Sequence, residues 1–406
     1  MNQYNSISSD KDFKIALNLV EEKIKELREN TPNLAFDKDK LAEVEINKFF
    51  FNGQTIDRVM VVLRSNGCQH YKINGGCSMC SHLNGSPLKD KIGHENYIKQ
   101  WDSLIDGSFL DKGATEFNIN NYPVVCVYNL GSLLNKEEID TETLQYIFSS
   151  LNKYKGIKKV IIESRAEYVT DEVLMAIKEV YSGLVEVGIG VESTNYIIRQ
   201  LCHHKAIEDD AIIEAAVETL HKYQMKALAY VNFKPVFLTE KEAIDDAILT
   251  SVDCIQKYNF DAISIEPTSL QENSLANYLY NLGLYRVPWL WSLKDIIYGI
   301  YDKIPNKQLD IRLGGYFDEE VLSGSQGVGF NGKNEIFPHM TSSNCSYCTA
   351  SFINAIKNFN MTYDVKDLEI VEECEYCYNL WQASKQVKDS RNIITRIKDI
   401  LERKGE

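Results

Sequence analysis

No stretch of this 406-residue chain approaches the roughly 20 consecutive apolar residues that a membrane-spanning helix requires. The sequence therefore predicts no membrane partner. Basic residues are in deficit: 44 Lys and Arg against 58 Asp and Glu leave a formal charge of −14. Such a surface does not coat nucleic acid nonspecifically, and any RNA contact falls to a local patch. The opening segment, Met1–Lys14, is polar and acidic, without the apolar stretch of a secretory signal or the Arg-rich pattern of a transit peptide. The expected location is the cytoplasm. Long internal repeats, low-complexity tracts and flexible linkers are missing as well. What remains, 44% hydrophobic and 25% charged residues, is the composition of a soluble globular protein. The length suits one large barrel-type domain with an appendage, or two ordinary domains.

Ten cysteines are present, and seven of them stand in two tight clusters. In a long chain without a signal peptide, clustering of this kind reads as metal binding in a reducing compartment and not as a disulfide framework.

Between the clusters the pattern alternates. Residues 10–29 carry Phe13, Ala16, Leu17, Val20, Ile24 and Leu27 at helical spacing, and Thr31-Pro32 stops the helix. Short β-rich runs follow at 58–64, 115–120, 124–129, 158–163, 184–191, 226–233 and 260–265, with helical periodicity at 136–153, 168–181, 207–224 and 239–256. Val- and Ile-rich strands separated by helix-length segments imply parallel βαβ units with right-handed connections, in a barrel or a doubly wound stack. Chemistry in either arrangement belongs at the C-terminal ends of the strands. The cysteine loop 68–80, Gly131-Ser132, Glu163-Ser164-Arg165 and Glu192-Ser193 all sit just past strand runs, so four polar sites are expected to converge on one face. Beyond about residue 305 the alternation gives way to Gly314-Gly315, Gly324, Gly327, Gly329 and Gly332, and a boundary is drawn near 335. The expected division is a helical extension over 1–54, a barrel over 55–335 and a Cys-rich region with a terminal helix over 336–406.

The first cluster, Cys68, Cys77 and Cys80, has the spacing C-x8-C-x2-C on a loop with three glycines. Three thiolates are one short of a closed zinc site and one short of a four-cysteine cubane. A [4Fe–4S] cluster with three protein ligands keeps one iron open, and the methionine part of S-adenosylmethionine (SAM) can chelate it. Electron transfer into the sulfonium then yields a 5′-deoxyadenosyl radical that abstracts hydrogen, chemistry that belongs to the cofactor. The spacing alone also allows a zinc knuckle completed by His70 or His82.

The second cluster, Cys345-Ser-Tyr-Cys348 and Cys374-Glu-Tyr-Cys377, consists of two C-x2-C knuckles 25 residues apart. It predicts a closed four-thiolate site holding structural zinc, with an auxiliary Fe–S cluster as the alternative. Cys126 and Cys254 read as buried, inert thiols. Cys202-His203-His204 ends a helical run and is not read as a metal site. Tyr280, Tyr285, Trp289 and Trp291 form either a base-stacking set or a pocket wall. The basic tail, Lys385, Lys388, Arg391, Arg396, Lys398, Arg403 and Lys404, is either an RNA patch or a solvated helix interleaved with Asp389, Asp399 and Glu402.

Several longer runs carry a resemblance. Val61-Val-Leu-Arg-Ser-Asn-Gly-Cys68 through Gly76-Cys-Ser-Met-Cys80, Glu163-Ser-Arg-Ala-Glu167, Gly188-Ile-Gly-Val-Glu192, Lys234-Pro-Val-Phe-Leu-Thr239 and Tyr285-Arg-Val-Pro-Trp-Leu-Trp-Ser292 resemble the radical SAM subunit of archaeosine synthase, over about residues 55–385. The resemblance implies a partial (β/α)6 radical SAM barrel with a small C-terminal Cys-rich metal-binding extension. It implies that Gly131 and Ser132 cradle the SAM amino group, with Glu163, Arg165 and Glu192 near its ribose or methionine end. Asn232 and Lys234 would stand further round the mouth. Without the resemblance, Glu163 and Arg165 also read as a structural ion pair. The implied activity is a lyase step on transfer RNA bearing a lysine-conjugated 7-cyano-7-deazaguanine. A lysine-attaching synthase subunit and a one-electron reductant such as ferredoxin or flavodoxin would be partners, and a homo-oligomer stays open. The chain departs from the family pattern at Ser81-His82, Asn135, Ala166 and Cys202-His-His-Lys-Ala206, which keeps open a paralogue acting on a small molecule, a natural-product intermediate or a peptide. A non-catalytic zinc-binding protein is the reading from a different class.

Overall fold

The computed structural model describes residues 9–31, 35–82, 86, 91–110, 117–305, 309–316, 319–324, 341–369 and 374–402. The chain begins with α1 (Asp10–Arg28), capped by the Ser9 hydroxyl on the Asp12 N–H, and continues into a hairpin of β1 (Glu43–Phe51) and β2 (Gln54–Val62). Asn52 and Gly53, both left-handed at φ 51° and 78°, make the two-residue turn. Next come α2 (Gln69–Asn74), α3 (His94–Ile105), β3 (Val124–Tyr128), α4 (Thr141–Leu151), β4 (Lys159–Ser164), α5 (Asp171–Val180) and β5 (Leu184–Gly190). A π-turn (Ile198–Cys202) leads into α6 (Asp210–Lys222), β6 (Lys226–Phe233), α7 (Glu240–Gln256), β7 (Ala262–Pro267), α8 (Leu275–Asn281), α9 (Trp291–Lys303) and β8 (Asp310–Leu313). The chain closes with β9 (Glu319–Gly324), α10 (Ser346–Thr362), α11 (Glu375–Gln386) and α12 (Ile393–Leu401).

One sheet holds all nine strands in the order β8-β7-β6-β5-β4-β3-β2-β1-β9. From β2 to β8 every neighbouring pair is parallel, while β1 joins β2 and β9 antiparallel. Six strand–helix units in unbroken sequential order give the partial (β/α)6 barrel that the resemblance implies, one of the two arrangements the alternation left open, with the Cys-rich C-terminal segment added. The run at 115–120 is a correction: Ile119–Asn121 is a 3-10 turn capped by Asn118, and 111–116 lie outside the described residues. The boundary near 335, Gly327, Gly329, Gly332, Arg403 and Lys404 also lie outside them.

The sheet curls, and its floor shows it. Glu186 on β5 takes Lys159 of β4 at 2.5 Å and Arg312 of β8 at 2.7 Å, and the Phe49 ring of β1 lies 5.1 Å from the Arg312 guanidinium. Side chains from β1, β4, β5 and β8 meet only if a flat ribbon is bent into a trough. Both cations hold the Glu186 carboxyl well below its usual range against the cost of burial. Above this layer Phe49, Val124, Cys126 and Ile161 fill the interior. Outward residues such as Val185, Val187, Ile189, Ala227, Ala229 and Val231 pack under the helices. Cys126 and Cys254 are fully buried, as expected.

The open side of the trough is crossed by α10. Asn360 donates to the Leu313 and Tyr316 carbonyls and accepts from the Leu313 N–H, so it continues β8 as a side chain. At the other edge Thr55 donates to the Met361 carbonyl and Phe50 meets Tyr363 edge-on at 5.0 Å. At the ends of the chain, α1 and α12 pack together, with Lys398 on Asp12 at 2.5 Å.

Candidate functional site

The cysteine loop leaves the C-terminal end of β2. Cys68 stands at the N-cap of α2, which ends in two consecutive left-handed glycines, Gly75 at φ 82° and Gly76 at φ 84°. This reversal returns the chain toward the barrel and brings Cys77 within range of the Cys68 charge, with Cys80 near Cys77 in turn. All three thiols are free and half-buried.

The loop is held from two sides. Arg28, the last residue of α1, donates from Nε to Gly75 O at 3.2 Å, from Nη1 to Ser81 Oγ at 2.8 Å and Asn273 O at 2.6 Å, and from Nη2 to Cys77 O at 3.1 Å and to Cys80 O. From the segment after β5, His204 Nδ1 meets Gly76 O at 2.8 Å, the His203 carbonyl accepts the Ser78 N–H at 2.9 Å and the Cys202 carbonyl accepts the Ser78 hydroxyl at 2.6 Å. Cys202-His203-His204 is therefore the back wall of the loop. His70 has both ring nitrogens engaged, by His204 O and Asn74 Nδ2.

Charge differentiates the thiols. Burial pushes Cys68 up to about 12 with help from the Glu138 charge, and burial also raises Cys77. Burial works the same way on Cys80, but the charge and hydrogen bonds of His82 outweigh it and bring the thiol down to about 6. His82 in turn is raised to about 9 by the Cys80 charge.

The strand-end residues gather over this loop. A Cβ on Gly131 would lie 2.1 Å from Glu138 Oε2 and 3.2 Å from Cys68 Cα, so only hydrogen fits where the β3 loop touches the cysteine loop. Buried Glu138 joins the two: its carboxylate accepts the Ser132 N–H at 2.6 Å, the Gln69 N–H at 2.8 Å and the Asn135 amide at 3.0 Å. Ser132 Oγ accepts the Arg165 N–H at 3.1 Å. Arg165 turns to the Glu167 carboxylate at 2.5 Å, and the charges of Cys77 and Cys68 add to the forces keeping it protonated. The ion pair that the spacing of Glu163 and Arg165 allows is thus replaced by Arg165–Glu167. Glu163, at the end of β4, is raised to about 7 by burial, while His82 and Lys205 pull it the other way. Glu192 pairs with Lys205 at 2.7 Å.

Asn232 and Lys234 end β6 and face other partners. Asn232 donates to Glu266 O at 3.1 Å and accepts the Thr268 hydroxyl at 2.7 Å, and Lys234 pairs with Glu240 at 2.7 Å. Left-handed backbone at the non-glycine residues Leu130, Glu192 and Lys234, with φ of 61°, 63° and 62°, marks the rim just past β3, β5 and β6. Strain of this kind persists only where the surroundings fix it.

The second cysteine set lies behind the barrel. Cys345, Cys348 and Cys374 bring their sulfurs within 4.8 Å of one another. The Cys345 N–H points at Cys377 Sγ at 3.2 Å, and three further N–H groups close a ring of contacts: Cys348 on Cys345, Cys374 on Cys348 and Cys377 on Cys374, each at 3.4 Å. Amides aimed at sulfur favour thiolate, and Cys345 is lowered to about 7 by them. Trp291 donates its indole N–H to Cys377 Sγ at 3.4 Å and packs on Phe352, Tyr378 and Trp381.

No protein-family model matches the chain. Over 363 residues it is 31% identical to an uncharacterized protein of Methanocaldococcus jannaschii, covering 88% of this chain and 90% of that one. It is 30% identical to archaeosine synthase subunit beta of Thermococcus kodakarensis over 80% of this chain and 90% of the relative, and 28% identical to the subunit of that name from Methanosarcina acetivorans, over 83% and 88%. The chain belongs to the archaeosine synthase subunit beta family. Among solved structures it is similar to HydG, a maturase of the [FeFe]-hydrogenase, with a TM-score of 0.43, 11% identity, and 97% and 95% of the two chains covered. It is also similar to Elp3 of Methanocaldococcus infernus, with a TM-score of 0.37, 14% identity, and 47% and 48% covered. Both scores are low, and the architecture rests on the strand order of the chain itself.

Within this archaeosine synthase subunit beta relative, two open alternatives take definite form. Trp291 is a buried wall between barrel and cysteine knuckles, and Tyr285 donates its hydroxyl to the Lys234 carbonyl. In the basic tail Lys385 pairs with Asp295, Arg391 with Asp389 and Asp399, Arg396 with Glu242, and Lys398 with Asp12. Arg28 and Glu138 were not among the residues singled out in the sequence, and Lys205 was noted only within the departing run Cys202-His-His-Lys-Ala206. Arg28 ends a helix 40 positions before the first cysteine, and its partners are mainly backbone carbonyls, which leave no mark in sequence. Glu138 sits within the loop that the Gly131-Ser132 motif begins, and Lys205 follows the histidine pair.

Proposed function

We propose that this chain is a radical SAM enzyme of transfer-RNA modification, with Cys68, Cys77 and Cys80 as the three protein ligands of a [4Fe–4S] cluster. The observation that carries the reading is the convergence of three free thiols, Arg165, Glu163 and the Glu192–Lys205 pair at the C-terminal ends of the parallel strands. Membership of the archaeosine synthase subunit beta family supports it. When bound, the cluster supplies the electron that cleaves SAM to a 5′-deoxyadenosyl radical.

The protein's own contribution is to hold charge and exclude water. Arg165 puts a fixed cation beside Cys68 and Cys77, which compensates thiolate charge in a half-buried site. Gly131 and Ser132 receive the amino group of SAM, and their loop is locked to the cysteine loop through Glu138. Glu163, Arg165 and Glu192 serve its ribose or methionine end. Asn232 and Lys234 shape the far side of the mouth, their polar atoms engaged by Thr268 and Glu240. The substrate is a lysine-conjugated 7-deazaguanine in transfer RNA, cleaved at a C–N bond in a lyase step. A subunit that attaches the lysine and a ferredoxin or flavodoxin complete the system. Cys345, Cys348, Cys374 and Cys377 hold a single zinc ion, a reading supported by the compact sulfurs of the first three and by the Cys345 N–H on Cys377 Sγ.

A second reading has its own observation. His82 bonds Cys80, so Cys68, Cys77, Cys80 and His82 also make a credible zinc set, whereas His70 is engaged elsewhere. Anaerobic reconstitution with iron and sulfide, then dithionite and SAM, separates them. About four irons and about one zinc per chain with 5′-deoxyadenosine formed support the radical enzyme, and Cys77→Ala should abolish that product while the protein stays folded. Zinc alone, with no 5′-deoxyadenosine, sinks the assignment.

A further inference from the structure

We infer that Arg28, a residue of the N-terminal helix outside the barrel, is a positioning residue for the cluster: it fixes the carbonyls of two ligating cysteines and biases the cluster toward reduction. The inference rests on the proposal that Cys68, Cys77 and Cys80 hold [4Fe–4S].

A guanidinium has five N–H donors in a rigid planar fork. Arg28 uses all five, on Gly75 O, Ser81 Oγ, Asn273 O, Cys77 O and Cys80 O. Its side chain is buried, with 8% of the residue exposed, and the Tyr71 ring lies 5.1 Å from the guanidinium. Four of the five acceptors lie in the cysteine loop, and two are the carbonyls of Cys77 and Cys80 themselves. The fifth, Asn273, belongs to the loop after β7, which grips the cysteine loop independently through Gln271 on the Ser81 N–H at 2.5 Å and through the Ala276 N–H on Ser78 O at 3.2 Å. One planar group thus sets the spacing between Cys77 and Cys80 and ties it to the barrel rim.

An ordinary helix-terminal arginine would favour the carbonyls of its own last turn. Arg28 points away from its helix into a loop whose Gly75, Cys77 and Cys80 carbonyls lie outside any helix or strand. A buried cation held against the backbone of two ligands also stabilises the reduced, more negative cluster, because net charge and hydrogen bonding set the potential of such centres. Lysine cannot replace it geometrically: three donors on one nitrogen cannot reach five acceptors on both edges of a fork.

The test compares wild type, Arg28→Lys, Arg28→Gln and Asp12→Asn, each reconstituted anaerobically. The readouts are iron content, the potential from a dithionite titration followed by visible absorbance, and the rate of cluster loss to a chelator. Asp12→Asn loosens α1 at its contact with Lys398 without touching the loop, so it controls for helix docking. We expect Arg28→Gln to shift the potential negative and to lose its cluster several-fold faster. Arg28→Lys should keep most of the potential but share the faster loss, and Asp12→Asn should match wild type in both. Identical potentials and loss rates in all four overturn the inference, as does an Asp12→Asn protein that behaves like Arg28→Gln. A wild-type protein that takes up no iron defeats the cluster assignment itself and is thereby told apart from failure of the role given to Arg28. Circular dichroism on each variant identifies one that has not folded; in that case Arg28→Lys against Asp12→Asn still decides the outcome.

Discussion

Single side chains carry most of what makes this site specific, and several are buried charges whose state depends on pH. Asp246 on α7 is enclosed, with the Ser193 hydroxyl its one hydrogen-bonding partner among the described residues, at 2.9 Å, and burial raises its carboxyl to about 7. Unfolded, it titrates near 4. Between those values the folded chain keeps a proton that the unfolded chain gives up, so stability falls as pH rises from about 4 to about 7 and then levels off. Asp246→Asn retains an acceptor for Ser193 and removes that fall. Denaturant unfolding at pH 5 and pH 8 should show the variant's stability relative to wild type rising by on the order of a few kcal/mol between the two, part of the wild-type fall having already occurred by pH 5; equal differences at both would refute the burial argument. The residues visible in sequence were those whose type announces chemistry, the cysteines and the strand-end carboxylates. Arg28 and Glu138 were hidden because they act on backbone groups, and a carbonyl or amide acceptor looks the same behind any side chain.

Elements were legible where a period was long enough to read. Four of the predicted βαβ helices and all the parallel strands up to β7 stand within a few residues of their expected positions. The β1–β2 hairpin was overlooked although Asn52-Gly53 is a strong turn pair, because Phe49, Phe50 and Phe51 in succession break the two-residue alternation. The short β8, four residues long, gives no period at all. At this scale the cysteine knuckles make a clear prediction. They begin α10 and α11, and α10 crosses the open side of the barrel. If these cysteines hold the metal proposed for them, Cys348→Ala should open that site and destabilise the whole chain, since binding energy there is folding energy. Thermal unfolding with and without a strong chelator reads this directly: wild type should drop sharply with chelator, and the variant should already be low and insensitive. A variant that melts like wild type but fails in turnover would point to an auxiliary redox cluster in place of zinc.

The molecule as a whole is acidic, and its basic tail is internally paired, most completely at Arg396, which takes both Glu242 oxygens at 2.7 Å and three backbone carbonyls. Lys385, Arg391, Arg396 and Lys398 are thus already held by carboxylates of the chain. If transfer RNA is the substrate, this chain alone should bind it with a shallow salt dependence, corresponding to fewer than about four phosphate contacts. A filter-binding series from low to moderate salt gives the slope, and a steep one would show that the tail ion pairs open on binding.

The docking of α1 on α12 bears on the order of events during synthesis. Arg28 precedes the cysteine loop in the chain, yet the helix that carries it rests against α12, more than three hundred residues further on. The cysteine loop precedes most of its partners and lacks its complete set of hydrogen bonds until the segment 271–276, almost two hundred residues beyond Cys80, has been translated. Iron delivered to the nascent chain would meet three thiols on an untethered loop. A metal placed on this loop would find its three thiols correctly spaced only once those later segments have folded around them.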